Sequence, residues 1–152
     1  RAFHMGRLEF PPQARIALDT SVIIYSVEKV QPYFELLIPM WQGAKQGRYT
    51  LYGSELLLLE VLVKPLQRRD SVLESAFRQL LTNSRELSLL PISRAVLENA
   101  GRLRAEYGIK TPDAIHLATA WLAGCTFVVT NDSAWRKAAG ISIAVLDDYL
   151  AD

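Results

Sequence analysis

Apolar residues along this chain fall into two rhythms, and their alternation predicts a layered α/β fold. Short, nearly unbroken apolar runs at residues 16–18, 87–90, 126–130 and 141–146 read as buried strands, and the alternating stretch 49–52 reads as another. Helical signals lie between them. Residues 71–81 carry apolar side chains at 73, 76, 77, 80 and 81, the spacing of one helix face. Asp19-Thr20-Ser21 opens a short helix over 22–27, and 33–43 reads as helical between breaks expected at Pro32 and Pro39. Ser54 is the expected N-cap of a helix over 55–63 that Pro65 should stop. Ser93 caps a helix over 94–107, with Gly108 at its C′ position. Thr111 caps the next, with Pro112 at the first helical position, and that helix runs to Ala123 and ends at Gly124. A last short helix spans 133–139 before Gly140. Strands alternating with helices predict a three-layer α/β/α domain with a central, mainly parallel sheet and right-handed crossovers. No internal repeat, low-complexity tract or interdomain linker interrupts the pattern.

Composition narrows this picture without redirecting it. The 152 residues are 50% hydrophobic and 22% charged, enough for one folded domain with one core. No apolar run approaches the ~20 residues of a membrane span, and no signal peptide with an apolar h-region is visible, so the expected location is cytoplasmic, without membrane attachment. Residues 1–4 read as an expression-tag remnant ahead of Met5, leaving 5–152 as a single domain. Without Arg1, 16 basic residues face 16 acidic ones, so total charge neither demands nor excludes nucleic acid. The lone Cys125 cannot form an intramolecular disulfide and reads as a small buried residue.

Chemistry concentrates in four acids at strand-to-helix junctions. Asp19 ends the apolar run Arg15-Ile16-Ala17-Leu18, Asp113 follows Thr111-Pro112, and Asp132 closes Phe127-Val128-Val129-Thr130-Asn131. Glu60 interrupts an otherwise apolar helix, whereas Glu55, five residues earlier, points to another face and should be solvated. Individually, Asp19 and Asp132 are explained as caps or turn residues, and Asp113 as a favourable charge at a helix N-terminus. Glu60 is harder to explain so, because an acid on a buried face needs a partner. In open α/β sheets ligands bind beyond the carboxyl ends of the strands, and carboxylates gathered there repel one another unless a cation joins them. Oxygen-only ligands favour Mg²⁺, or Mn²⁺, over zinc; His4, His116 and the single cysteine make no zinc-like spacing. Such a site suits metal-assisted phosphodiester hydrolysis.

The ordered motifs resemble those of PIN-domain ribonucleases, most of all the toxin component of VapBC-type toxin–antitoxin pairs. They are Leu18-Asp19-Thr20-Ser21-Val22-Ile23-Ile24-Tyr25, then Ser54-Glu55-Leu56 leading into Leu59-Glu60-Val61-Leu62. Leu103-Arg104-Ala105 with Thr111-Pro112-Asp113-Ala114-Ile115-His116-Leu117-Ala118-Thr119-Ala120 follows, and Val129-Thr130-Asn131-Asp132 closes the set. The resemblance covers nearly the whole span from residue 15 to 146. It implies Asp19, Glu60, Asp113 and Asp132 as catalytic, metal-binding acids, with Ser21, Thr130 and Asn131 positioning them or the substrate. Ser21 stands where many relatives carry Asn. The resemblance further implies Mg²⁺-dependent endonucleolytic cleavage of RNA leaving 5′-phosphate and 3′-hydroxyl ends, a homodimer, and a cognate antitoxin protein that blocks the site.

Neighbouring residues carry ordinary readings beside functional ones. His116, three positions after Asp113, is a structural histidine or a donor to Asp113. Trp121 lies on an apolar helix and is expected in the core, whereas Trp135, three residues after Asp132, is the better candidate of the two to line a groove. Arg68-Arg69 reads as an exposed loop, and the apolar region from Tyr33 to Trp41 as either core or a partner-contact surface. Two other functions compete: a non-catalytic PIN-fold module binding RNA or protein, and a phosphatase built on strand-end aspartates. The first would have lost an acid, and none is lost. A common version of the second would place Asp two residues after the nucleophile, where Ser21 stands.

Overall fold

The computed structural model describes residues 7–138 and 140–150, so the reading of residues 1–5 and the helical expectation at Ala139 lie outside the described residues. Five strands form a fully parallel sheet: β1 (Ala14–Leu18), β2 (Tyr49–Ser54), β3 (Leu87–Leu90), β4 (Phe127–Thr130) and β5 (Ser142–Val145), in the order β3-β2-β1-β4-β5. Six helices connect them: α1 (Thr20–Val27), α2 (Tyr33–Lys45), α3 (Leu56–Arg68), α4 (Ser71–Asn83), α5 (Arg94–Tyr107) and α6 (Thr111–Leu122). Two 3₁₀ turns, Ser133–Lys137 and Leu146–Tyr149, flank β5.

Strand alternation divides the apolar residues between two cores. Ile16, Leu18 and Val129 face a core completed by α1–α4, with Leu37, Met40, Leu57 and Phe77 fully buried in it. Ala17 and Val128 face the opposite side, where α5, α6 and Trp135 close a second core. Both sheet faces are therefore covered, which is why these strands read as apolar runs rather than alternating ones.

Local chemistry explains most element ends. Ser93 Oγ accepts from the backbone N–H of Val96 at 3.2 Å, and Gly108, at φ 67°, closes α5 by donating to the Arg104 carbonyl at 2.9 Å. Ser93→Ala should cost about 1 kcal/mol of stability, readable as a shift in the denaturant midpoint with unchanged slope. The break expected at Pro32 holds, since it is the N-cap of α2, but those expected at Pro39 and Pro65 fail. Pro39 lies inside α2, exposed, on a helix anchored by buried Leu36, Leu37, Met40 and Gly43. Pro65 is buried inside α3, which ends instead at Arg69 in the left-handed region (φ 53°), with the Asp70 N–H bonding the Pro65 carbonyl at 2.9 Å. A proline removes one helical hydrogen bond, and here tertiary burial outweighs that loss. Thr111 and Pro112 shift by one place: Lys110 is the α6 N-cap residue and Thr111 the first helical one.

The tryptophans exchange their expected places. Trp121 is 53% exposed and Trp135 only 2%, because the outer flank of α6 faces solvent while the turn after β4 folds Trp135 beneath it. Cys125 is buried as expected, and burial pushes its thiol up to about 11, keeping it protonated and inert. No helix among the described residues is long and apolar enough to cross a membrane.

Candidate active site at the carboxyl edge of the sheet

Strand order reverses direction at β1, whose neighbours are β2 on one side and β4 on the other. The crevice between the carboxyl ends of β1 and β4 is the switch point where open α/β sheets bind ligands. Leu18 pairs with Val129, and the Asp19 N–H continues the ladder to the Val129 carbonyl at 3.2 Å. Register therefore places Asp19 and Thr130 side by side.

Asp19 is 6% exposed and tightly held. Its Oδ1 accepts from Ser21 Oγ at 2.6 Å and from the Val22 N–H at 3.2 Å, which also makes it the N-cap of α1. Its Oδ2 accepts from Thr130 Oγ1. Thr130 Oγ1 in turn accepts from the Asp132 N–H at 3.0 Å. Desolvation by burial pushes the Asp19 carboxyl above its ordinary range, even though the hydrogen bonds from Ser21, Thr130 and Val22 pull the other way. A buried carboxylate so placed is stabilised by any cation that reaches it.

Asp113, in the first turn of α6, is half-buried, while Asp132 is exposed and accepts from the Ala134 N–H at 2.9 Å, capping the 3₁₀ turn. Desolvation raises the Asp113 pKa first, and the charge of Asp132 raises it further, with a smaller contribution from Asp19. Asp113 thus feels the charge of two acids from separate stretches of chain. The ordinary readings hold here: Asp19 caps α1 and Asp132 caps the 3₁₀ turn.

Glu60 joins from α3 by a different route. Its Oε1 accepts from Thr20 Oγ1 at 2.5 Å and pairs with His116 Nε2 at 2.6 Å. Desolvation alone would raise its pKa, but the hydrogen bonds from His116 and Thr20 outweigh it, and the net shift is downward. His116 thus bonds Glu60 rather than Asp113, the partner its spacing suggested. Nothing local to Thr20 in the sequence signals an acid forty residues away. Asn131 turns away from the acids: its amide donates to the Tyr25 hydroxyl at 3.2 Å, and its carbonyl accepts from the Asp147 N–H at 3.0 Å. Glu55 is exposed, and so are Arg68 and Arg69.

Among the described residues, no three His, Cys, Asp or Glu side chains stand close enough to form a ready-made metal cage. The donors nevertheless fit a hard divalent cation. They are all oxygens, Asp113 is repelled by its acidic neighbours, and Asp19 is buried at a cost that its hydrogen bonds do not fully offset. Mg²⁺ keeps several of its own waters, so carboxylates grouped at electrostatic range rather than in a closed cage suit it better than zinc or calcium.

A PIN domain family model matches residues 16–141. Among solved structures, VapC20 of Mycobacterium tuberculosis, described as a Sarcin-Ricin loop cleaving toxin, superposes with a TM-score of 0.68 at 14% identity, covering 85% of this chain and 98% of that one. VapBC2 of Rickettsia felis, bound to a DNA fragment from its promoter, superposes at 0.67 and 18% identity, over 85% and 96% of the two chains. VapBC-5 of Mycobacterium tuberculosis, from the VapBC family of toxin-antitoxin systems, superposes at 0.57 and 25% identity, over 87% and 98%. Comparison with curated proteins finds no match.

Proposed function

Because this chain belongs to the PIN domain family, we propose that it is a Mg²⁺-dependent endoribonuclease and the toxin of a type II toxin–antitoxin pair. The observation that carries the reading is the hydrogen-bonded chain at the β1/β4 switch point, where Thr130 Oγ1 donates to the Asp19 carboxylate and accepts from the Asp132 N–H, with Asp113 within reach of both charges. Glu60 is tied to the same region by its hydrogen bond from Thr20, the residue next to Asp19. Similarity to VapC20 and to toxin–antitoxin complexes supports RNA as substrate and a protein antitoxin as partner.

Asp19, Asp113, Asp132 and Glu60 would hold the ion directly or through water. Bound there, it would supply positive charge against the scissile phosphate and a water of lowered pKa. Ser21 and Thr130 fix the Asp19 carboxylate so that it need not reorganise when substrate arrives. The backbone bond from Asp132 to Thr130 ties the second acid to the first. Cleavage leaves 5′-phosphate and 3′-hydroxyl ends and needs no covalent intermediate. The purified chain should cut RNA with Mg²⁺ or Mn²⁺ and stop on adding EDTA. A folded protein inert toward a panel of structured RNAs with either ion would remove the reading.

For the antitoxin, the open apolar groove across α1, α2 and α4 is the expected contact. Val27, Phe34, Ile38, Trp41 and Leu80 line it; thus Tyr33–Trp41 splits between core (Leu36, Leu37, Met40) and surface. Ile38→Glu should weaken antitoxin binding roughly tenfold or more by burying an unpaired charge at the interface, while leaving RNA cleavage intact. Titration against the co-expressed antitoxin would measure it. The homodimer belongs to the same proposal, and sedimentation of the free chain would test it.

A further inference from the structure

We infer that His116 is a positioning residue which, with Thr20, pins one oxygen of Glu60 so that the other is presented to the incoming ion or its water. The inference deepens the nuclease reading and rests on it.

Both hydrogen bonds to Glu60 land on the same atom. Thr20 Oγ1 reaches Oε1 at 2.5 Å and His116 Nε2 reaches it at 2.6 Å. Among the described residues no hydrogen bond reaches Oε2. The Glu60 side chain is 25% exposed and that of His116 only 4%, so a buried ring holds a carboxylate that solvent and its ions still reach. A glutamate on a helix has three rotatable bonds, and two donors converging on one oxygen remove most of that freedom before a ligand arrives.

The ring itself is fixed from two sides. It lies nearly parallel to Trp135, with centroids 6.1 Å apart and planes 22° apart. His116 Nδ1 is buried and has no hydrogen-bond partner, so the hydrogen on Nε2 is the one the protein uses. An orphaned buried nitrogen costs on the order of 1–3 kcal/mol. A histidine kept only for packing would gain by replacement with an apolar residue; one kept to hold Glu60 would not. Placement on α6 gives the arrangement its reach. His116 lies one turn after Asp113 and its stacking partner Trp135 three residues after Asp132, so the ring pair links the segments carrying three of the four acids.

The test separates positioning from packing through metal binding, not activity alone. Mn²⁺ affinity is measured calorimetrically for the wild-type chain, His116→Ala, His116→Gln and Thr20→Val, each also in a Glu60→Gln background, with melting temperatures alongside. Second-layer donors of this kind typically contribute 10–100-fold to metal affinity. His116→Ala should therefore lose roughly that much, and Thr20→Val less. His116→Gln, whose amide N–H can stand in for Nε2–H, should recover most of it. In the Glu60→Gln background the His116 substitutions should change affinity little. Equal Mn²⁺ affinity in wild type and His116→Ala, or equal losses with and without Glu60, would overturn the inference while leaving the nuclease reading standing. A wild-type chain that neither binds Mn²⁺ nor cuts RNA would overturn both.

Discussion

Asp19→Asn is expected to lower RNA cleavage by on the order of a thousandfold, the cost of removing a preorganised charge at a reacting centre, while the protein stays folded. Asparagine keeps the Oδ1 acceptor that caps α1 and bonds Ser21. Only the contact with Thr130 must adapt, its hydroxyl turning to accept from the new amide. Without metal, the substitution should even stabilise. Burial holds the Asp19 pKa above its unfolded value, so the folded wild type binds its proton more tightly than the unfolded chain does. That favourable difference is fully present below the unfolded value near 3.8. It disappears as pH rises through the folded value, where ionising the buried group penalises folding. In EDTA at neutral pH, Asp19→Asn should melt at or above the wild-type temperature, and the gap should close as pH falls through the carboxylate range. Adding Mg²⁺ should raise the wild-type melting temperature and leave the variant's unchanged. Wild-type cleavage rates in the variant would remove Asp19 from the chemistry.

That prediction was legible in the chain, and its supports were less so. Asp19 ends a buried strand, and strand ends are visible as the place where an apolar run stops. Leu87–Leu90 and Arg94–Tyr107 follow from the same local signals, strand composition in one case and a Ser cap with a Gly terminator in the other. Helices containing Pro39 and Pro65 do not, because what carries them through is burial in a core built from residues tens of positions away. The two tryptophans illustrate the same limit. Periodicity shows that α6 has an apolar face, but not that Trp121 sits on the flank that nothing in the fold covers. The Glu60–His116 contact joins residues 56 positions apart, and no spacing rule reaches that far. An acid on a buried face needs a partner, and only topology says which.

Glu60 also depends on how the start of α3 is seated at the end of β2, where a glycine makes room for a buried leucine. Gly53 in β2 has no side chain, and Leu57 Cδ1 occupies the space a Cβ would need. Leu57 is fully buried and lies one helical turn before Glu60. Gly53→Ala forces the leucine to move and should cost about 1–3 kcal/mol as an overpacked core. Leu57→Ala leaves a cavity and should cost about 2–5 kcal/mol. Because each residue fills the space the other lacks, the two effects should not add. The double variant should be more stable than the sum of the singles by a margin of about 1 kcal/mol or more, the signature of direct contact in a denaturation cycle. Additive losses would mean that α3 is held at its height by other contacts. The displacement also has a functional reading. Gly53→Ala pushes on the leucine beneath Glu60, so its Mn²⁺ affinity should fall more than its stability loss explains, whereas the double variant, with the strain relieved, should recover it.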